Sequence, residues 1–201
     1  MKFNMKLIIV EGLDNTGKTT VINYLFTQFS SCFYFHCQKP INTDPIKSAL
    51  EQKDLFYSLL NDILDINTRF KNIDAIILDR SWIGEYVYGC KYRGNGDEFV
   101  MDMIIYINDK LSVNNIHTFN ILLTVDNIDF IMNNDDGKSI SNNKYENILN
   151  EKERFEYIFD EIPKLNEKNI YTKKIVVNDN LKFKNKNDIF SEINKFIKYH
   201  K

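Results

Sequence analysis

The segment that most constrains this chain is Gly12-Leu13-Asp14-Asn15-Thr16-Gly17-Lys18-Thr19, which fits the pattern G-x-x-x-x-G-K-[ST]. In a chain of 201 residues, a chance match arises roughly a few times per thousand. The segment also lies where such a loop has to lie. The apolar run Lys6–Val10 before it reads as a buried strand, and a helical pattern from about Lys18 to Phe29 follows. Between a strand end and a helix start, backbone N–H groups converge at the positive end of the helix dipole and form a concave anion site. Gly12, Asn15, Thr16, Gly17, Lys18, Thr19 and Thr20 are therefore the expected binding residues for a nucleoside triphosphate. Lys18 is expected at the β- and γ-phosphates and the Thr19 hydroxyl at Mg²⁺.

Strand and helix patterns alternate through the rest of the chain. Further strands are expected at Cys32–His36, Asp74–Leu78, Phe119–Val125 and Ile170–Val177. Helical patterns cover about Pro45–Arg69, with room for a break near Lys53-Asp54, then Asp97–Leu111, Ile148–Pro163 and Asp188 to the end. Five short apolar strands separated by helices predict an α/β fold of the P-loop NTPase type, a five-stranded parallel sheet with helices on both faces. No linker or repeat divides the chain, so residues 1–201 are expected to form one domain. The stretch Asn133–Tyr145 has almost no apolar residues and is expected to be a mobile lid.

Charge and cysteine usage narrow the partners. Twenty-six basic residues against 28 acidic ones give a net charge of −2, which excludes the basic footprint of a nucleic-acid binder. The longest apolar runs stop at four residues or so, far short of the roughly 20 that span a bilayer. No membrane partner is expected, and the location expected is the cytoplasm, the host's if the gene is viral. The three cysteines, Cys32, Cys37 and Cys90, have neither the number nor the spacing of a disulfide framework or zinc site.

The third strand ends in Asp79-Arg80. In an open parallel sheet, the carboxyl ends of the strands line the ligand crevice. Asp79 is then expected to face the phosphate loop and hold Mg²⁺ through a water, with the Arg80 fork over the phosphates. The competing reading is an ion pair that merely caps the strand. Two of the four arginines fall within Asp79–Arg93, which weakens it. A GTPase is disfavoured: no N-K-x-D follows a strand, and no glycine follows Asp79 in the switch position.

Glu11-Gly12-Leu13-Asp14-Asn15-Thr16-Gly17-Lys18-Thr19-Thr20 resembles the phosphate loop of thymidylate kinases, and Asp79-Arg80 resembles that family's D-R. The run Gly84-Glu85-Tyr86-Val87-Tyr88, with Tyr92-Arg93 after it, is closer to deoxynucleoside monophosphate kinases of phages and low-GC bacteria. The resemblance implies transfer of the ATP γ-phosphate to a deoxynucleoside 5′-monophosphate, with dTMP first among acceptors, and it implies a homodimer. It further implies that Asp14 contacts the sugar 3′-hydroxyl, and that Arg80 and Arg93 bridge donor and acceptor phosphates. Leu55-Phe56-Tyr57 resembles the family's L-L-F, so Phe56 or Tyr57 is expected against the acceptor base, with Tyr88 a further stacking candidate. Asn15 stands where some members carry a catalytic arginine. Members without it place basic residues in the lid, where Lys138 is the candidate here and Lys144 the second.

A nucleoside acceptor needs a carboxylate base near the end of the second strand, whereas a monophosphate needs positive charge to offset repulsion. That strand ends His36-Cys37-Gln38-Lys39, which favours the monophosphate, with Lys39 among its contacts. Glu11 keeps a deoxynucleoside kinase open as an alternative. A non-catalytic nucleotide sensor is the other.

Overall fold

A computed structural model of the chain describes residues 5–134, 144–165 and 167–200. Strands β1 (Lys6–Gly12), β2 (Cys32–His36), β3 (Ala75–Asp79), β4 (His117–Thr124) and β5 (Ile170–Val176) form one sheet in the order β2-β3-β1-β4-β5. Every neighbouring pair is parallel. Helices α1 (Lys18–Gln28), α2 (Pro45–Arg69), α3 (Trp82–Tyr92), α4 (Asp97–Val113), α5 (Asp129–Asn133), α6 (Tyr145–Glu161) and α7 (Lys186–Tyr199) surround it. A short hairpin, β6 (Asn178–Asp179) with β7 (Lys182–Phe183), follows β5. The α/β sheet expected from the sequence is the one observed.

Strand order and chirality decide where the helices lie. The β1-to-β2 connection runs one way across the sheet; the connections from β2 to β3, β3 to β4 and β4 to β5 run the other way. Right-handed crossovers therefore put α1 on one face and α2, α3, α4 and α6 on the opposite one. Helix α7 joins α1, where Phe190 stacks on Tyr24 at 3.9 Å between ring centroids. Burial on both faces explains why β1 and β3 read as unbroken apolar runs. Leu7, Ile8, Ile9 and Val10 are all fully buried, each contributing roughly 1.5–3 kcal/mol of transfer free energy.

Besides helix α5 and the β6–β7 hairpin, which no sequence pattern predicts, three local features differ from the expectation. Helix α2 runs unbroken from Pro45 to Arg69, capped by Asp44, whose side chain accepts from the Lys47 N–H at 2.9 Å. Its inward stripe of Gln52, Phe56, Leu59, Leu60, Ile63 and Ile66 continues through Lys53-Asp54 and holds the helix together. Helix α3 was not foreseen: Trp82 through Gly89 are all buried, so no polar face marks the helical period, and two glycines disguise it further. Strand β1 extends past its apolar run because Glu11 is buried as well. Of the expected lid, residues 135–143 lie outside the described residues, Lys138 among them.

Candidate functional site

The carboxyl ends of β1, β2 and β3, the start of α1, parts of α2 and α3, Asn134 and the β6–β7 hairpin enclose a cavity of about 610 Å³. The phosphate loop forms its floor. Gly12 has φ +143°, and a Cβ there would stand 2.3 Å from the Leu123 carbonyl oxygen of β4, so only glycine fits against that strand. Gly17, at φ +84°, turns the chain into α1. The Thr16 hydroxyl donates to the Leu13 carbonyl at 2.8 Å, a bond inside the loop. Asn15, Gly17, Lys18 and Thr19 face the cavity. Gly12 and Thr16 support the loop from beneath, and Thr20 is exposed on α1 outside the lining.

The Lys18 ammonium lies against the loop itself, donating to the carbonyls of Leu13 at 2.6 Å and Gly12 at 3.0 Å. Burial pulls its pKa down to about 8, helped by the neighbouring Arg80 and opposed by Asp14, Glu11 and Asp79. Arg80 adopts φ +69° directly after β3, its N–H donating to the Val10 carbonyl. That backbone turn directs its guanidinium to Asp14 Oδ1 at 2.5 Å and over the Tyr88 ring, 5.6 Å from the centroid. Asp79 Oδ2 accepts from the Tyr34 hydroxyl at 3.3 Å and pairs with His36 Nδ1 at 2.9 Å. Both bonds fall on Oδ2, and no hydrogen bond to Oδ1 is made among the described residues.

Glu11, at the end of β1, is fully buried and belongs to the lining of the same cavity. Its Oε1 accepts from the Ser81 hydroxyl at 2.8 Å and the Gly84 N–H at 3.2 Å, while Oε2 has no partner among the described residues. Burial pushes its pKa up to about 7, more than Arg80, Ser81, Lys18 and the Gly84 N–H pull it down. Across the cavity, Arg93 grips Glu85 through two nitrogens, Nε at 2.9 Å from Oε1 and Nη2 against Oε2. Asn95 donates to the same carboxylate at 2.9 Å.

Asp14, Lys39, Phe56, Asp79, Arg80, Tyr88 and Arg93, all anticipated from the sequence, line one cavity. Tyr57 is not brought to it. One residue further round α2 than Phe56, it packs edge-on against Tyr106 of α4 at 5.5 Å, with the Lys53 ammonium over its ring. Sequence reasoning missed Glu85, Gln38, Gln52, Asn134 and Phe183, which also face the cavity. Glu85 had a signal, since its spacing to Arg93 spans two helical turns. Phe183 had none, being 166 residues beyond the Gly17 it approaches.

No protein-family model matches the sequence, and none of the curated proteins does either. Solved structures do match. A thymidylate kinase from Candida albicans superposes with a TM-score of 0.66 at 16% identity, covering 98% of this chain and 94% of that one. The fold is that of thymidylate kinases. A second thymidylate kinase, from Ehrlichia chaffeensis, matches with a TM-score of 0.64 at 14% identity over 96% of this chain and 99% of its own. The YorR protein of Bacillus subtilis, solved in complex with phosphorylated GDP, matches at 0.63 and 16% identity over 96% of both chains. The thymidylate kinase fold thus extends over nearly the whole length compared, at identities that speak for architecture alone. Among the described residues, no helix is long and apolar enough to cross a membrane.

Proposed function

We propose that this chain transfers the γ-phosphate of ATP to a deoxynucleoside 5′-monophosphate, dTMP first among them, as a member of the thymidylate kinase family. One observation carries the choice of acceptor: the end of β2 brings Lys39 and no carboxylate to the cavity, beside Arg80 and Arg93. A phosphate acceptor approaching a triphosphate meets anion repulsion, which these cations offset. The carboxylates present are mostly committed to other partners: Asp14 to Arg80, Asp79 to His36 and Tyr34, Glu85 to Arg93 and Asn95. Phe56, largely buried, forms part of the apolar wall of the cavity, and the likeness to two thymidylate kinases, that of Candida albicans described as having broad substrate specificity, supports dTMP among the acceptors.

In this reading the loop N–H groups and Lys18 hold the donor phosphates, releasing Lys18 from the carbonyls of Gly12 and Leu13. Arg80 exchanges part of its pairing with Asp14 for phosphate oxygens, and Arg93 does the same with Glu85. The Thr19 hydroxyl and Asp79 carboxylate are hard oxygen donors of the kind Mg²⁺ takes alongside phosphates and waters, so the residues present fit that ion. When bound, Mg²⁺ neutralises charge on the phosphate oxygens. Lys138 remains the lid residue proposed to approach the transferred group, and Asp14 the contact to the sugar. Cytoplasmic location and a homodimer belong to the same family reading.

Glu11 favours a second reading. A carboxyl group with one oxygen unpartnered among the described residues and a pKa near neutrality has the properties of a general base for a 5′-hydroxyl. The test is ADP release from ATP·Mg²⁺ against four deoxynucleosides and four deoxynucleoside monophosphates. Turnover on monophosphates with inert nucleosides is expected. Turnover confined to nucleosides would replace the reading by the second one, and ATP binding without any turnover would leave a sensor.

A further inference from the structure

Glu85, Gly89 and Arg93 stand four residues apart on α3 and its C-cap, so they form one row along the helix. The ends of that row are about 12 Å apart along the axis, at 1.5 Å of rise per residue. Glu85 nonetheless reaches Arg93, its Oε1 accepting from Nε at 2.9 Å and its Oε2 from Nη2. Gly89 makes the reach possible. A Cβ there would stand 2.1 Å from Glu85 Oε1 and 2.5 Å from the carboxyl carbon, so the carboxylate fills the space that any other residue's side chain would take. A helical side chain ordinarily leans toward the N-terminus, whereas Glu85 runs the other way, across Gly89.

Both partners belong to the cavity wall, and the pair is nearly dry, with side chains 3% exposed for Glu85 and 11% for Arg93. A buried ion pair adds little net stability, because desolvation of two charges offsets their attraction. What it fixes is direction. A guanidinium carries five N–H donors, and Glu85 engages only the edge that bears Nε–H and one N–H of Nη2. Asn95 holds the carboxylate in turn, donating to Oε1 at 2.9 Å while its own backbone N–H is bonded to the Gly89 carbonyl at 3.2 Å. We propose that Glu85 is a positioning residue for phosphoryl transfer, holding Arg93 in the orientation in which it meets the acceptor phosphate, and that Gly89 leaves the room this requires.

In the proposed function, on which this role rests, Arg93 gives part of its pairing to phosphate. The Nε bond to Oε1 is the part that stays, as a pivot, and Nη2 is the nitrogen that turns to the incoming anion. An arginine already held by one edge loses less rotamer freedom when phosphate arrives than a free one, so its charge is delivered in place.

The test is steady-state kinetics of the full chain with ATP·Mg²⁺ and whichever of the four deoxynucleoside monophosphates turns over fastest, dTMP by expectation, with the matching nucleoside as competitive inhibitor. The variants are Glu85→Ala, Glu85→Gln, Gly89→Ala, Arg93→Ala and the double Glu85→Ala/Arg93→Ala. Gly89→Ala removes no charge: its methyl displaces the end of a flexible side chain while alanine itself favours the helix, so it carries the test even where Glu85→Ala fails to fold. Glu85→Ala and Gly89→Ala are each expected to lower kcat/KM for the monophosphate roughly tenfold or more, the scale of one charge-assisted hydrogen bond. KM for ATP is expected to stay within about twofold, and so is Ki of the nucleoside, which has no phosphate for Arg93 to meet. Glutamine keeps an acceptor for the Nε–H and is expected to lose less than alanine. The double variant is expected to lose no more than Arg93→Ala, since both changes act through one guanidinium. Losses that add in the double variant overturn the role, as does an equal loss for the nucleoside, which would make the pair a prop for the cavity wall. Unchanged acceptor constants in Glu85→Ala or Gly89→Ala, in a chain whose wild type is active, fail the positioning role alone. Wild type that turns over no monophosphate fails the proposed function and this role with it.

Discussion

Replacing Glu11 with glutamine measures what a buried carboxylate beside the phosphate loop costs the fold. In the folded chain its pKa stands at about 7 against 4.5 for the free group, chiefly through burial. Below 4.5 both the folded and the unfolded chain hold the proton, and above about 7 both release it. Between those values only the folded state keeps it, so stability is full at the acid end and is lost as pH rises through the window. At about 1.4 kcal/mol per pH unit, the interval from 4.5 to about 7 amounts to about 3 kcal/mol. Glutamine keeps an Oε1 acceptor for the Ser81 hydroxyl and the Gly84 N–H but carries no charge at any pH. Urea unfolding of nucleotide-free wild type and E11Q at a series of pH values isolates the effect, since every other titrating group is shared. The stability of E11Q relative to wild type is expected to increase by about 3 kcal/mol across the window, which in a chain of this size is roughly 6–12 °C in Tm. A difference constant with pH would refute the reasoning, because Glu11 would then be ionised in the folded state throughout.

Three further outcomes follow from the same geometry. Gly12→Ala forces a Cβ into the Leu123 carbonyl at a backbone angle suited to glycine; it is expected to cost about 3 kcal/mol or more, read as a fall in Tm of roughly 6–12 °C. Phe56→Ala is expected to raise KM for the acceptor about tenfold or more, while Tyr57→Ala leaves it within about twofold; steady-state kinetics on the pair separates cavity from helix packing. Lys18→Ala is expected to lose phosphoryl transfer by about a hundredfold or more with an unchanged circular dichroism spectrum, and retained turnover would remove Lys18 from the reaction.

The phosphate loop was legible because its chemistry is local: glycines, lysine and threonine sit within eight residues, between an apolar run and a helix. Strands β1 and β3 were legible because burial on both faces leaves an unbroken apolar signature. Helix α3 was not, since burial on every side erases the period that betrays a helix. Phe56 and Tyr57 show the limit on a single helix: neighbours in sequence, they point about 100° apart, and only packing against α4 decides which one meets the cavity. The burial of Glu11 was hidden as well. A carboxylate beside a phosphate loop reads as exposed chemistry, whereas Ser81 and Gly84, some seventy residues on, close over it. Phe183 is the extreme case, reaching the loop through a hairpin that no pattern announced.

The sheet order also sets how firmly each half of the cavity is held against local opening. Strand β1 is flanked on both sides, and Leu7–Val10 have no exposure at all, so the amides of Ile8, Ile9 and Val10 are expected to exchange with deuterium only when the whole chain unfolds. Strand β2 is an edge, with Tyr34 and His36 exposed, and its amides are expected to exchange earlier through partial fraying. The loop after β1 is therefore expected to rest on a stiff part of the sheet, while Gln38 and Lys39 follow its softer edge. Under the proposed function, a structure divided in this way would hold its donor phosphates in one fixed position and leave the opposite wall pliant enough to adjust to the size of the acceptor.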